Sequence, residues 1–330
     1  MRQRRRTPVR PKVVVVTGAS SGVGRATALA FAREGASVVL SARSAVSLRM
    51  AEQECRAEGA ATLVVVADVV DEFAVEAVAL AAVEEFGRVD VWVHTAAVVA
   101  YGRFEDVPSE VFRRVLDTGI HGSTHVARTA LRQFRRQDEG TLILTGSLLG
   151  EIATPYMSSY VTSKWALRGL ARVLSIETRD ASDIHVCVVS PGGVDTPVYA
   201  QAANYAGRAG RPPPPVDSPD KVARAIVGCA HHPRPRLTVG LGNPFIRTGF
   251  MALPRVYDAL VTPLMQAGGL SLRRTAPHQG NVFTPAPAGD ATYGRWGRHW
   301  LRPAGLTAVI AAAGVGALHR ALRRAAMIQA

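Results

Sequence analysis

Four consecutive valines, Val13–Val16, pass directly into Thr17-Gly18-Ala19-Ser20-Ser21-Gly22-Val23-Gly24 and then into a helical stretch, Arg25–Glu34. An apolar run without polar alternation is what a strand buried on both faces requires, and parallel sheets covered by helices bury strands in that way. Glycines placed just after such a strand let the backbone turn sharply and approach a diphosphate. The N–H groups opening the next helix would meet its charge. Taken alone, the glycines also fit a tight turn with no ligand. Joined to the strand before and the helix after, they point to a nucleotide at the carboxyl edge of an α/β sheet.

The pattern then repeats. Ser37–Leu40 reads as a second strand, 44–58 as a helix, Leu63–Val66 as a third strand followed by Asp68, and 71–86 as a helix. Val89–Val93 is a fourth strand that leads into His94-Thr95-Ala96-Ala97. One long helical pattern covers Pro108–Arg136, interrupted by Gly119 and Gly122. A strand at Leu142–Leu144, a helix running to Thr178, a strand at Val186–Val189, a capped helix over 220–230 and a strand at Arg236–Val239 follow. Unbroken alternation of strand and helix specifies a parallel sheet with helices on both faces. Right-handed crossovers reduce the choice to an α/β doubly wound Rossmann sheet.

Charge bears on what the chain binds. The formal net charge is +13 over 330 residues, but residues 1–12 and 291–330 hold six basic side chains each and no acid. The ends thus account for twelve of the thirteen charges, and the body from 13 to 290 is almost neutral. Basic ends on a neutral body suit an anionic surface such as phospholipid better than a nucleic-acid groove, so no nucleic-acid partner is expected. Cys55, Cys187 and Cys229 are odd in number, far apart and set among apolar neighbours, the pattern of reduced thiols in a cytoplasmic protein. His121 and His125 stand at metal-ligand spacing without a third ligand, and no metal is expected.

Ser147 and the run Tyr160-Val161-Thr162-Ser163-Lys164 carry the chemistry. Residues four apart share a helix face, so the Lys164 ammonium is expected beneath the Tyr160 phenol, where it would favour the ionised form. A free phenol titrates near ~10 and is a poor base at neutral pH, so such tuning has a purpose. A Ser147 hydroxyl at a strand end facing that helix can hold a carbonyl while the phenol moves a proton. That suits interconversion of an alcohol and a ketone, given a hydride carrier. At the end of the second strand stands Arg43, and no acid lies between Gly35 and Ala51. A carboxylate there would bind the ribose hydroxyls of NAD, whereas an arginine pairs with the 2′-phosphate of NADP. NADP, supplied as NADPH, is therefore the expected cofactor.

In order and spacing, Thr17–Gly24, Asp68, Ser147, Tyr160, Lys164 and Pro191–Thr196 resemble the short-chain dehydrogenase/reductases over roughly residues 12–240. The resemblance implies Tyr160 as general acid/base, Ser147 orienting the substrate carbonyl, and Lys164 lowering the Tyr160 pKa while holding the nicotinamide ribose. It also implies that Asp68 contacts the adenine, that Ser20 and Arg43 lie near the 2′-phosphate, and that Val194 and Thr196 touch the carboxamide. Gly18, Ser21, Gly22, Val23, Gly24, Val69 and Ala96 complete the implied cofactor wall. Pairing through the long helices, to a homodimer or homotetramer, is the family habit. Two departures stand out. His94-Thr95-Ala96-Ala97 replaces the usual Asn-Asn-Ala-Gly, so His94 must tie neighbouring strands in place of an amide. Gly119 replaces an Asn whose main-chain carbonyl anchors a relay water to the lysine. A rival function from another class is a sensor or scaffold that binds NADP(H) without turnover.

The expected layout is a basic tail over 1–11, a Rossmann catalytic domain over 12–240, a partly helical extension over 241–298 and an apolar, basic-flanked helix over 299–330. Residues 198–216, rich in Ala, Gly and Pro, read as a mobile lid, 254–270 as a helix closing the substrate side, and 271–298 as irregular. Pro303–Leu318 carries no charge and would span roughly 24 Å as a helix, somewhat short of a ~30 Å hydrocarbon core. Arginines and tryptophans beside it make a C-terminal membrane anchor one reading, and a helix docked on the protein or on a dimer partner the other. Apolar Leu148, Leu149 and Met157 near Ser147 favour a hydrophobic substrate, such as a lipid or steroid.

Overall fold

The computed structural model describes residues 11–297. Seven strands form one sheet: β1 Val13–Thr17, β2 Ser37–Ala42, β3 Thr62–Val66, β4 Val91–His94, β5 Gly140–Thr145, β6 Ile184–Pro191 and β7 Arg236–Val239. Their order is β3-β2-β1-β4-β5-β6-β7 and every neighbouring pair is parallel. Chain order reverses at β1, whose neighbours are β2 and β4. There the two sets of crossovers leave on opposite faces and a crevice opens outside the carboxyl ends.

The helices of eight residues or more among the described residues are α1 Gly22–Arg33, α2 Ala45–Ala57, α3 Glu72–Phe86, α4 Ser109–Leu116, α5 Gly122–Gln137, α6 Ser158–Glu177, α7 Pro219–His231, α8 Asn243–Ala252 and α9 Pro254–Gly268. Several begin where the sequence supplies an oxygen for the unpaired N–H groups of the first turn. The Asp71 side chain accepts from Phe73 and Ala74, and Ser218 caps α7 ahead of a proline in its first turn. Such a cap contributes about 1 kcal/mol.

Because β1 and β4 to β6 are buried along most of their length, each covers a core on both sides. One layer packs Phe31, Leu48, Cys55, Cys187, Ile226 and Cys229 from α1, α2, β6 and α7. The other packs Trp92, Phe134, Leu142 and Leu167 from β4, α5, β5 and α6. Full burial of each large apolar side chain stabilises by about 1.5–3 kcal/mol. All three cysteines are free and buried.

Outside the sheet the structure departs from the sequence reading in three places. The pattern over 108–136 is split into α4 and α5 by a π-helical turn at Asp117–His121, centred on Gly119. The 198–216 stretch is pinned: Val198–Gln201 is helical, Arg208–Gly210 pairs antiparallel with Leu270–Arg274, and Val216-Asp217 pairs with Gly193-Val194. The stretch after 270 is a strand to Arg274 before it turns irregular and runs back across the carboxyl edge of the sheet. The predicted tail, apart from Pro11, and the predicted anchor over 299–330 lie outside the described residues. Among the described residues no helix is long and apolar enough to cross a membrane.

Candidate active site

At the end of β1 the backbone of Gly18 takes φ +87°, and a Cβ there would lie 2.5 Å from the Ala96 nitrogen. A Cβ on Gly24 would lie 2.1 Å from the Gly18 carbonyl oxygen. The loop is therefore folded tightly against the exit of β4, so only glycines fit. This brings α1 to the crevice with its first turn facing outward. Ser21 precedes that helix in extended conformation without capping it, and Ser20, Ser21, Gly22 and Val23 line the crevice. A helix that opens at the crevice, uncapping hydroxyls and a cradle with no room for side chains fit a dinucleotide diphosphate.

Gly18, Ser20, Ser21, Gly22, Val23, Gly24, Arg43, Asp68, Val69, Ala96, Ser147, Tyr160, Lys164, Val194 and Thr196 all border one cavity of about 550 Å³. Every residue expected from the sequence to be catalytic or to bind the cofactor thus borders one place, although they span positions 18 to 196.

Arg43 follows β2. Its guanidinium donates to the carbonyls of Asn281 at 2.6 Å, Val282 at 3.1 Å and Phe283 at 3.2 Å. Burial pulls its pKa down, and Asp68 acts against that. The Asp68 carboxylate accepts from the Val70 N–H at 3.1 Å and is ion-paired to Arg114. No sequence signal announces the 281–283 carbonyls, since any residue type supplies one.

Ser147, Tyr160 and Lys164 meet where β5 faces α6. Ser147 Oγ accepts from the Leu149 N–H at 3.1 Å. Lys164 Nζ donates to the Thr145 carbonyl at 2.8 Å and lies 5.5 Å from the centre of the Tyr160 ring. The cation is beneath the phenol, as expected, but the direction of the tyrosine shift is not. Burial pushes Tyr160 up to about 12, a hydrogen bond from Ser147 offsets only part of this, and Lys164 is not among the causes. Desolvation outweighs the distant charge here. Lys164 itself is brought down to about 8 by its burial.

The two departures from the family pattern have visible consequences. Nδ1 of His94 lies 2.9 Å from Thr17 Oγ1, so His94 ties β4 to β1 as an amide would. Burial, followed by the Lys164 charge, lowers its pKa to about 3, which keeps the imidazole neutral. The Gly119 carbonyl accepts from Ser123 Oγ at 2.8 Å. A Cβ at 119 would lie 2.8 Å from both Cβ and Oγ of Ser163, one residue before Lys164. Close packing of the π-turn on α6 leaves no space for a side chain there. His121 pairs with Asp117 at 3.0 Å and His125 with the Val69 carbonyl at 3.0 Å.

Beyond Tyr160 the cavity turns apolar. Leu148, Leu149 and Met157 line it beside Val256, Leu260, Leu264 and Met265 of α9, and Pro213–Pro215 close another side. Tyr199 also lines it, half-buried, and its pKa is raised first by desolvation and then by the neighbouring Tyr160. Sequence reading passed over Tyr199 because it sits in a stretch without periodicity.

A family model for short chain dehydrogenases matches residues 12–205. An uncharacterized oxidoreductase of Bacillus subtilis, YxnA, is 32% identical over 299 residues, covering 89% of this chain and 83% of its own length. An alcohol dehydrogenase from the archaeon Thermococcus sibiricus, solved with 5-hydroxy-NADP, superposes with a TM-score of 0.60 at 29% identity over 70% of this chain and 96% of its own. An NAD+-bound xylitol dehydrogenase does so with a TM-score of 0.55 at 33% identity over 57% of this chain and 72% of its own.

Proposed function

Since the chain belongs to the short-chain dehydrogenase family of oxidoreductases, we propose that it interconverts a secondary alcohol and a ketone on a hydrophobic substrate, using NADP(H). The carrying observation is that the glycine-rich loop, Ser147, Tyr160 and Lys164 all border one cavity whose far wall is apolar. Bound NADP(H) supplies the hydride acceptor or donor at the substrate carbon. The protein supplies position and a proton. In ketone reduction the Ser147 hydroxyl holds the substrate oxygen and the Tyr160 phenol gives it a proton as the hydride arrives at carbon; alcohol oxidation reverses both transfers. A phenol pushed up to about 12 is protonated at neutral pH, so the resting side chain is already in the form that reduction consumes. Lys164, at about 8, is largely charged at neutral pH and stabilises the phenolate left behind.

Arg43 supports NADP over NAD, although the solved relatives above carry either form. Neutral carbonyls orient its guanidinium without neutralising it, and the nearby Asp68 charge is engaged by Arg114. The cation stays free to meet a 2′-phosphate in paired hydrogen bonds. Exposed Val173 and Ile176 on α6 support pairing of two chains through that helix, which sedimentation of the purified protein would read.

The test is purified protein with NADPH and a panel of apolar ketones. Wild type should oxidise the cofactor, and Tyr160→Phe should lose at least about a hundredfold in rate, as for removal of a general acid, while still binding NADPH. Arg43→Met should weaken NADPH binding much more than NADH binding. Dinucleotide binding with no turnover across the panel would favour the sensor or scaffold reading.

A further inference from the structure

The stretch after β7 does more than close the substrate side. From 278 to 296 it runs along the crevice and is fastened to it at successive points. The Asn204 and His278 backbones exchange hydrogen bonds. Asn281 donates its N–H to the Gln201 carbonyl at 2.8 Å and its side-chain amide to Gln201 Oε1 at 3.1 Å. The 281–283 carbonyls hold Arg43. The Gly22 N–H, in the glycine-rich loop, donates to the Ala291 carbonyl at 2.9 Å. The Gly294 N–H reaches the Asp195 carbonyl at 3.1 Å, and the Trp296 N–H reaches Asp195 Oδ1 at 3.1 Å. Outside the crevice, the Tyr293 hydroxyl donates to the Asp220 carboxylate on α7.

These contacts fall on the residues expected to meet the adenosine end (Arg43), the diphosphate (Gly22) and the nicotinamide end (the Val194–Thr196 loop). Between its fastenings the segment borders the crevice through Asn281, Pro285, Ala286 and Asp290, and the cavity stays open beneath it. We propose that residues 281–296 form an added wall of the dinucleotide site, closing over the bound cofactor and slowing its exchange, with Tyr293 and Asp220 as the latch. This rests on the cofactor reading above and goes beyond it in assigning a binding role to a segment outside the family match, which ends at 205. Arg43 is the hinge pin of the arrangement, because one guanidinium bonds the wall and faces the adenosine end together.

Stopped-flow fluorescence of NADPH release from the full-length protein tests this. Tyr293→Phe removes the latch hydrogen bond and leaves the crevice residues untouched. Gly294→Ala lifts the wall by a second route, since its Cβ would lie 2.7 Å from Asp195 Oδ1 and 2.8 Å from the Thr196 carbonyl. Tyr293→Phe should release NADPH about tenfold faster, as for the loss of a single hydrogen bond to a charged partner, and Gly294→Ala should also release it faster than wild type. The unfolding midpoint without cofactor should stay near that of wild type in the latch variant. Release at the wild-type rate in both variants would overturn the proposal. So would slower release with tighter binding, which would mean that the segment competes with the dinucleotide. A wild-type chain that binds neither NADPH nor NADH would instead remove the cofactor reading on which the proposal stands.

Discussion

A neutral buried imidazole at position 94 makes stability depend on pH in a known sense. The folded pKa of His94 is about 3, below the ordinary value of 6.5, so between these values the unfolded chain binds one more proton than the folded one. Stability from this side chain is complete above 6.5 and is lost as pH falls towards 3, by at most about 1.4 kcal/mol per pH unit. Denaturant melts of wild type and His94→Asn across that window should show the wild type falling more steeply; parallel curves would contradict the assignment. Gly24 is governed by space rather than charge. With a Cβ 2.1 Å from the Gly18 oxygen, Gly24→Ala should abolish NADPH binding and lower the melting temperature by several degrees. All three glycines of the loop could be picked out in the sequence, because a sharp turn beside a diphosphate leaves few alternatives. The direction of the Tyr160 shift could not, since it depends on how deeply the phenol is buried, and depth is set by the distant segments that roof it.

Among the elements, the alternation of strand and helix carried the parallel, doubly wound sheet, and all seven strands overlap the stretches read as strands. The π-turn was legible only as an interruption at Gly119. What fixes it is the approach of α6, a contact between segments some 40 positions apart. Gly119→Ala should therefore cost roughly 1–3 kcal/mol through overpacking against Ser163, despite alanine's better helix propensity. Ser163→Gly should recover part of that loss, and a double-mutant cycle in chemical denaturation measures the coupling. The 198–216 stretch misled for the opposite reason. Its composition resembles a free loop, but partners at 193–194 and 270–274 convert it into paired backbone.

Across the molecule, the α8–α9 hairpin is fastened to the catalytic body through Glu151, which is only 7% exposed and paired with Arg236 and with Arg247 of α8. Tyr257 adds a hydrogen bond to the Ala153 carbonyl at 2.7 Å. Since α9 lines the apolar end of the cavity, Glu151→Gln should raise KM for an apolar ketone several-fold and change kcat little, as expected when binding is loosened and the reacting groups are untouched. Equal losses in both constants would show that the hairpin also holds the reacting groups. The cysteines offer a different readout. Cys55, Cys187 and Cys229 all belong to the core layer formed with α1, α2 and α7, and none faces solvent. Polar alkylating reagents should leave the native protein unmodified, and the extent of labelling in rising denaturant would follow the opening of that layer alone. With Trp165, Trp296 and Trp300 replaced by Phe, tryptophan emission from Trp92, in the opposite layer, would follow the other side of the sheet, and a gap between the two curves would expose an intermediate melted on one face only.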